Sequence, residues 1–435
     1  MAEQDPNAIF NRVIVGDPID SNGEEHTGIS LRSSDEVNIS MSKPLQVVMR
    51  EAFSIPSPML IATFLDAHGD AMNATKLDSA ATYTLTLESY DGSKIESKWN
   101  LSHIDHANSV IGSSEQGTFS VHFVHETWKK FAYEIHCRGW SNKKYSDVVK
   151  EIADECNFDV TDIIETEETL ESIQQPNWTD AKMMRWIMSR AGAASKGGEY
   201  EYSISMDGKF VFAPFSSYIN REFKIREGLD NIPIIYLGGQ PNQSEERRKN
   251  NSGSNIYASN YSIVEDSTDN HKQGAGGVVN AWYDYNEAEY KREPLKYSET
   301  SNVQTSEWSL VNEDYEDSPL FLSHGRNHIE AETIGENRIC SIVNSMQKVR
   351  VLLPSSTVLR VGEVVNFKIP NPLKFVEDQG KYNEVHSGKY VIASVTNNLD
   401  NDKKDPTFTT EILLVRQGID KKESSYYTKS SGGKA

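Results

Sequence analysis

At 435 residues the chain is long enough for several domains, each burying a core without disulfides or metals. Hydrophobic residues make up 37% of it and mean hydropathy is −0.57, values that suit β-rich modules joined by polar loops better than one compact globule. With 44 Lys and Arg against 64 Asp and Glu, the formal charge of −20 repels phosphate backbones and anionic lipid, which excludes tight nucleic-acid wrapping.

The three cysteines, Cys137, Cys156 and Cys340, are widely spaced and odd in number, as thiols in a reducing cell would be. Cys137 and Cys156 read as core hydrophobes. The amino terminus, MAEQDPNAIF, lacks a basic segment followed by an apolar one, and no apolar run reaches the ~20 residues of a membrane span, so no membrane insertion is expected.

Residues 1–40 are polar and broken by Asp17-Pro18 and Asn22-Gly23, the text of an extended arm. Val47 to Phe53 and Met59 to Leu65 read as two strands, separated by a bend whose prolines, Pro56 and Pro58, bar a continuous ladder. Tyr83, Leu85 and Leu87 alternate with polar residues, and Tyr90-Asp91-Gly92-Ser93 turns the chain toward Ile95 and Trp99 as a hairpin. Phe119, Val121 and Phe123 alternate again, as do Phe131, Tyr133, Ile135 and Cys137. The period then becomes helical at Tyr145, Val148, Val149, Ile152, Ala153 and Cys156, behind Ser146 and Asp147 as caps. A second helix follows Thr179 as N-cap, with Met183, Met184, Trp186 and Ile187 on one side, Arg190 in its last turn and Gly192 ending it.

Strands resume at Tyr200 to Ile204, Phe210 to Phe212 and Ile232 to Leu237. Residues 238–278 are rich in Gly, Asn, Ser and charge and read as a mobile loop, while Trp282, Tyr283 and Tyr285 supply strand material. The stretch 298–317 is polar and acidic. Residues 325–346 are helix-compatible, with Gly335 weakening the pattern. Val349 to Leu353, Val364 to Ile369, Tyr390 to Val395 and Phe408 to Val415 are short strands that suggest a small closed barrel, and the tail from Lys421 is Ser, Lys and Gly rich.

Specific chemical signatures are missing: the chain contains no GxxxxGK[ST], HExxH, GxSxG or CxxC. His122 and His125, three apart on a strand, point to opposite faces, and His103 and His106 carry no third ligand at zinc spacing. Asp66 to Asp70 and the trio Asp400, Asp402 and Asp405 lack the carboxylates of a calcium loop and read as solvated turns. The Met183, Met184, Trp186 and Ile187 cluster reads as helix packing rather than a peptide groove. The short basic run Arg247-Arg248-Lys249 sits in an acidic loop and reads as solvated. No residue is assigned as catalytic, cofactor-binding or metal-ligating, and no cofactor is expected.

Three stretches carry a resemblance. Gln46-Val47-Val48-Met49-Arg50-Glu51-Ala52-Phe53 followed by Met59 to Asp66, then Tyr133-Glu134-Ile135-His136-Cys137-Arg138-Gly139-Trp140 with the helix at 145–156, the linker Gln174-Gln175-Pro176-Asn177-Trp178 and the helix at 179–190, and finally Leu359 to Val365 with Ser387-Gly388-Lys389-Tyr390-Val391-Ile392-Ala393-Ser394-Val395, stand in an order that resembles the baseplate hub of contractile-tailed bacteriophages. Together they cover about half the chain in patches. The 238–320 region and the N-terminal arm do not fit the family pattern.

The resemblance implies a mainly β, multidomain chain with an α/β insertion, built of tube-like antiparallel β-barrels plus a small C-terminal barrel. Read along the chain, the division is an arm over 1–40, a first tube-like β-domain over 41–130 that 200–237 can rejoin, and an inserted α/β domain with two helices over 131–199. A second β-domain with long flexible acidic loops over 238–345, the barrel over 346–420 and a disordered tail over 421–435 complete the division. The resemblance further implies a non-enzymatic homotrimer in the virion that joins the hexameric tail tube protein to the trimeric central spike protein, alongside other baseplate proteins, with DNA only passing through the lumen. Two other readings compete: a β-rich adhesin whose Trp282, Tyr283 and Tyr285 stack on sugars, and a cell-wall hydrolase drawing on the many acids.

Overall fold

The computed structural model describes residues 14–15, 31–33, 38–39, 45–66, 82–88, 94–111, 114–192, 199–220, 232–236, 256–264, 277–296, 321–345, 347–354, 359–369, 382–383, 386–400 and 407–416. Short strands β1 (Ile14–Val15), β2 (Leu31–Ser33) and β3 (Asn38–Ile39) precede five longer ones, β4 (Gln46–Ala52), β5 (Met59–Asp66), β6 (Thr82–Glu88), β7 (Lys94–Ile111) and β8 (Ser114–His125). The longer strands form an antiparallel sheet in the order β4-β5-β8-β7-β6. Period two decides its faces: Val47, Met49, Leu60, Ala62, Phe119, Val121 and Phe123 are buried, while the alternate residues Thr63, Ser120 and His122 stand on the other side.

The insertion begins with a π-helical turn, Lys129–Tyr133, and continues through β9 (Ile135–Lys144), α1 (Tyr145–Glu155), β10 (Asp159–Ile163), β11 (Thr169–Thr179), α2 (Asp180–Met188), β12 (Tyr200–Ile204), β13 (Lys209–Pro214) and α3 (Phe215–Asn220). The apolar stripes of α1 and α2 share one core with Phe131, Tyr200, Tyr202, Phe210 and Phe212. Thr179 caps α2 as expected, accepting the Lys182 N–H at 3.3 Å. At α1 the N-cap is Lys144, two residues before Ser146, and Asp147 accepts the Lys144 N–H at 3.0 Å from inside the first turn.

Two expectations are corrected here. Gln174 to Trp178 is not a linker but the end of β11, paired antiparallel with β9, and the register shifts between Gln175 and Trp178. That bulge holds Pro176, which has no N–H for the ladder, and Asn177, whose φ is 50°. Cys137 is exposed rather than core, with Tyr133 and Ile135 at 71% and 67% exposure. The apolar phase of β9 points outward, because His136, Arg138 and Trp140 occupy the inward phase.

The remaining elements are β14 (Ile232–Tyr236), β15 (Ile256–Ala258), β16 (Asn260–Val264), β17 (Gly277–Asp284), β18 (Glu289–Lys296), β19 (Phe321–His324), α4 (His328–Asn344), β20 (Gln347–Pro354), β21 (Val364–Lys368), β22 (Gly388–Asp400) and β23 (Thr407–Arg416). Strand pairing runs β15-β14-β21-β22-β23-β20-β16, and only Ser259 separates β16 from β15, so the ring closes on itself as a barrel. Ile234, Val349, Val351, Leu353, Val365, Phe367, Tyr390, Ile392, Ile412 and Leu414 fill it. Ile256–Val264, read from the sequence as part of a polar loop, is therefore strand. Six of its nine residues are apolar or aromatic, but the Gly-, Asn- and charge-rich text on either side masks them, and pairing with β14 and β20 supplies the order.

β22 joins the halves. Its Ser394–Asp400 stretch pairs with β4 on one edge while β23 occupies the other, so the barrel and the first sheet are continuous. The chain is mainly β. Strands β18-β17-β19 make a separate sheet covered by α4, and Gly335 of α4 lies so close that a Cβ there would stand 2.3 Å from Asn280 Oδ1 and 2.8 Å from Val278 Cγ2. The glycine that weakened the helical pattern is thus what allows the helix to touch the sheet.

Gly335→Ala should lower stability despite the roughly 1 kcal/mol that alanine adds to a helix, because overpacking a tight contact costs about 1–3 kcal/mol. Urea denaturation of the two proteins checks the sign; a more stable variant would show that the contact is loose.

Candidate functional site: a buried charged junction beneath the insertion

In β4 the inward phase runs Val47, Met49, Glu51, so a carboxylate occupies a core position and is fully buried. Isolated, it would be costly. It is satisfied by two backbone donors from remote turns, the Met206 N–H and the Val361 N–H, each at 2.9 Å. The Arg360 guanidinium is buried beside it, its Nη1 donating to Leu359 O at 2.9 Å, and Arg360 Nε lies 4.0 Å from Asp207 Oδ1. Burial raises the Glu51 pKa, Arg360 and the two amides draw it back, and the net direction is up.

His125 completes this junction from the end of β8. Its backbone N–H donates to Ser57 Oγ at 2.9 Å and its Nδ1 lies 3.0 Å from Thr127 Oγ1. Burial pushes the ring down to about 4, with Asp207 acting in the opposite sense, so the imidazole is neutral at pH 7. Gly208, with φ 79°, packs against it: a Cβ there would meet His125 Cε1 at 3.2 Å.

A second carboxylate group lies where β12 enters the insertion. Glu199 and Glu201, two apart on extended chain, share a face. Burial pushes Glu201 up to about 7, with the Ser54 hydroxyl donating to it as a counterweight. Glu199 is raised well above the usual carboxylate range by burial and then by Glu201, against the pull of Arg338 on α4. Nearby, α4 docks on the end of α2: Asn337 Nδ2 donates to the carbonyls of Ala191 at 2.9 Å and Ser189 at 3.2 Å, groups a helix end leaves without helical partners. Arg190 adds an ion pair to Glu330 at 3.1 Å. Both carboxylate groups hold parts of the fold together, and the buried thiols Cys156 and Cys340 are pushed up to about 12 by burial, far from a thiolate nucleophile.

The residues singled out in the sequence fall as follows. Met183, Met184 and Ile187 are fully buried and Trp186 packs against them under the Arg190 guanidinium, 4.4 Å from its ring. His122 and His125 lie on opposite faces of β8. The outward His122 meets His103 and Asp105 of β7, a grouping that spacing along the chain does not reveal, since the histidine nearest His103 in sequence is His106. Trp282 sets its ring edge-to-face on His328 at 4.6 Å, and the exposed Tyr283 and Tyr285 meet at 74°, so the three rings do not form one flat platform. His68 and Asp70, Arg247 to Lys249, Asp402 and Asp405, the 298–317 stretch and the tail from Lys421 lie outside the described residues. The buried Glu51 had a visible signal, a charge in the inward phase of an alternating strand; the Glu199–Glu201 pair had none beyond its spacing of two.

The Glu201 shift sets a pH dependence. A carboxyl whose folded pKa is raised binds more protons folded than unfolded, so its contribution to stability falls as pH rises from about 4.5 to about 7. Glu201→Gln should raise stability at pH 8 by on the order of 1–2 kcal/mol, reduced by the solvent that reaches the residue, and change little at pH 5. Thermal melts at the two pH values test this; equal effects at both would remove Glu201 as the titrating group.

No protein-family model matches the chain, and no curated protein matches it. Among solved structures it is similar to the prophage MuSo2 43 kDa tail protein from Shewanella oneidensis, at 10% identity and TM-score 0.53 over 89% of this chain and 97% of that one. It is also similar to the tail protein from Neisseria meningitidis MC58, at 10% identity and TM-score 0.55 over 91% of this chain and 98% of that one. The chain therefore shares the fold of these tail proteins over about nine-tenths of its length.

Proposed function

We propose that the chain is a structural protein of a contractile phage tail: a homotrimeric baseplate hub that joins the hexameric tail tube to the trimeric central spike. The observation that carries this reading is the likeness of fold to two tail proteins across almost the full length of both partners. The order of the three resembling stretches in the sequence supports it independently. In such a hub each chain offers two tube-like β-domains, so three chains present six to a sixfold tube and three to a threefold spike. The charge of −20 favours a lumen through which DNA passes without adhering. On this reading the chain sits in the virion baseplate and performs no catalysis, and the junction carboxylates hold the insertion to the sheet.

The test is the oligomer. Light scattering of the purified chain should give three times its 48.9 kDa mass, and averaged electron micrographs should show a threefold ring with a sixfold-like face. A monodisperse monomer that remains monomeric with the tail tube protein would overturn the hub.

The outward apolar phase of β9 supplies a second expectation. Exposed Tyr133, at the end of the π-helical turn, and Ile135, at the start of β9, are an unfavourable surface unless another chain covers them. Ile135→Asp should shift the mass toward monomer while leaving the melting temperature of the isolated chain unchanged; an intact trimer would place the interface elsewhere.

A further inference from the structure

We propose that His103, Asp105 and His122 form a binding site for a divalent transition-metal ion of the zinc class on the outer face of the first sheet. Among the described residues these are the one group of His, Cys, Asp or Glu donors that converges, with ligand atoms all within 4.8 Å of one another.

The backbone builds the convergence. His103 and His122 are cross-strand partners on β7 and β8, and the register shift between Leu101 and His103 sets His103 and Asp105 on the same face as His122. The opposite face carries the core residues Val121 and Phe123, so the site stands on a rigid floor. Side-chain exposure is 55% for His103, 66% for Asp105 and 23% for His122, which leaves one side open to an entering ion.

The distances match tetrahedral coordination. Two donors each about 2.1 Å from zinc at a tetrahedral angle stand about 3.4 Å apart. Asp105 Oδ2 lies 3.1 Å from His122 Nε2 and 3.7 Å from His103 Nε2, on either side of that value. The two rings are stacked, 15° from parallel with centroids 4.0 Å apart, so an ion shared in both ring planes requires the exposed His103 ring to turn about its Cβ–Cγ bond, while both Nε2 atoms already address the same carboxylate. His103 Nδ1 is 3.1 Å from Ser102 Oγ. With Nδ1–H donating to that hydroxyl, the Nε2 lone pair is free for a metal, the arrangement that orients metal-bound histidines generally. Two imidazoles and a carboxylate suit Zn²⁺, Co²⁺ or Ni²⁺ rather than Ca²⁺ or Mg²⁺, which take oxygen ligands, and water fills the fourth position. An ion there would staple β7 to β8 and stiffen the hairpin between them.

The experiment titrates ZnCl₂ into the untagged full-length chain by calorimetry and CoCl₂ by visible absorption. The proposal expects one ion per chain, the intense d–d bands of a four-coordinate cobalt site, and its displacement by zinc. His103→Ala and His122→Ala should each weaken binding by on the order of 100-fold, and Asp105→Asn by about 10-fold. Cys137→Ser, which removes an exposed thiol elsewhere, should leave binding intact. His103 and Asp105 are exposed, so their variants should fold, and circular dichroism checks this. No binding to the parent chain, binding unchanged in both histidine variants, or binding lost in Cys137→Ser would each overturn the site.

Discussion

The carboxylate of Glu51 is the point on which the arrangement of the chain turns. It sits in the inward phase of β4, and its two oxygens accept N–H groups from the β12–β13 turn at Met206 and from the turn before β21 at Val361. These contacts span 155 and 310 residues of sequence. A buried carboxylate is tolerated only when hydrogen-bonded and balanced by charge, so the insertion, the first sheet and the barrel must all be seated before Glu51 is satisfied. Arg360 and Asp207 carry the same requirement from the other side of the junction.

Around that point the apolar packing is divided among separate cores. One lies inside the barrel and another within the insertion, while a third, with Val211, Ala213, Phe215, Tyr218, Val364, Val391 and Val415, bridges the two. Hydrophobic contact is non-directional and would accept several relative placements. The directional contacts select one: Glu51 to the two turns, Ser54 to Glu201, and Asn337 to the end of α2. The modules are thereby tied by groups that cannot slide.

The placement of titratable groups is consistent with a structural role. Glu51, Glu199, Glu201 and His125 all have perturbed pKa values, and in each burial is the leading cause. Perturbation of this kind often marks catalysis. Here Glu51 meets backbone amides, Glu201 meets the Ser54 hydroxyl and His125 meets Thr127, so these groups bind the fold to itself. The outward His103, Asp105 and His122 differ, since they converge on an open face.

Local pattern was sufficient for much of the fold. Apolar runs bounded by a proline bend announced β4 and β5, period-two alternation announced β6 and β8, helical spacing announced α1 and α2, and Thr179 announced the start of α2, because neighbouring residues alone control these preferences. What depends on distant partners was invisible. β11 accommodates Pro176 only through its bulge against β9, and Cys137 turns outward because the phase of a strand is set by what it packs against. The same limit governs the sites. Glu51 was legible as a charge out of phase, but its partners lie in turns hundreds of residues away. His103 meets His122 through strand register, which no spacing along the chain encodes. Neighbouring residues were enough for most strands and helices and for most apolar faces, because those preferences are local; which strands pair, and thereby which charged and imidazole groups share a site, follows only from contacts between distant segments.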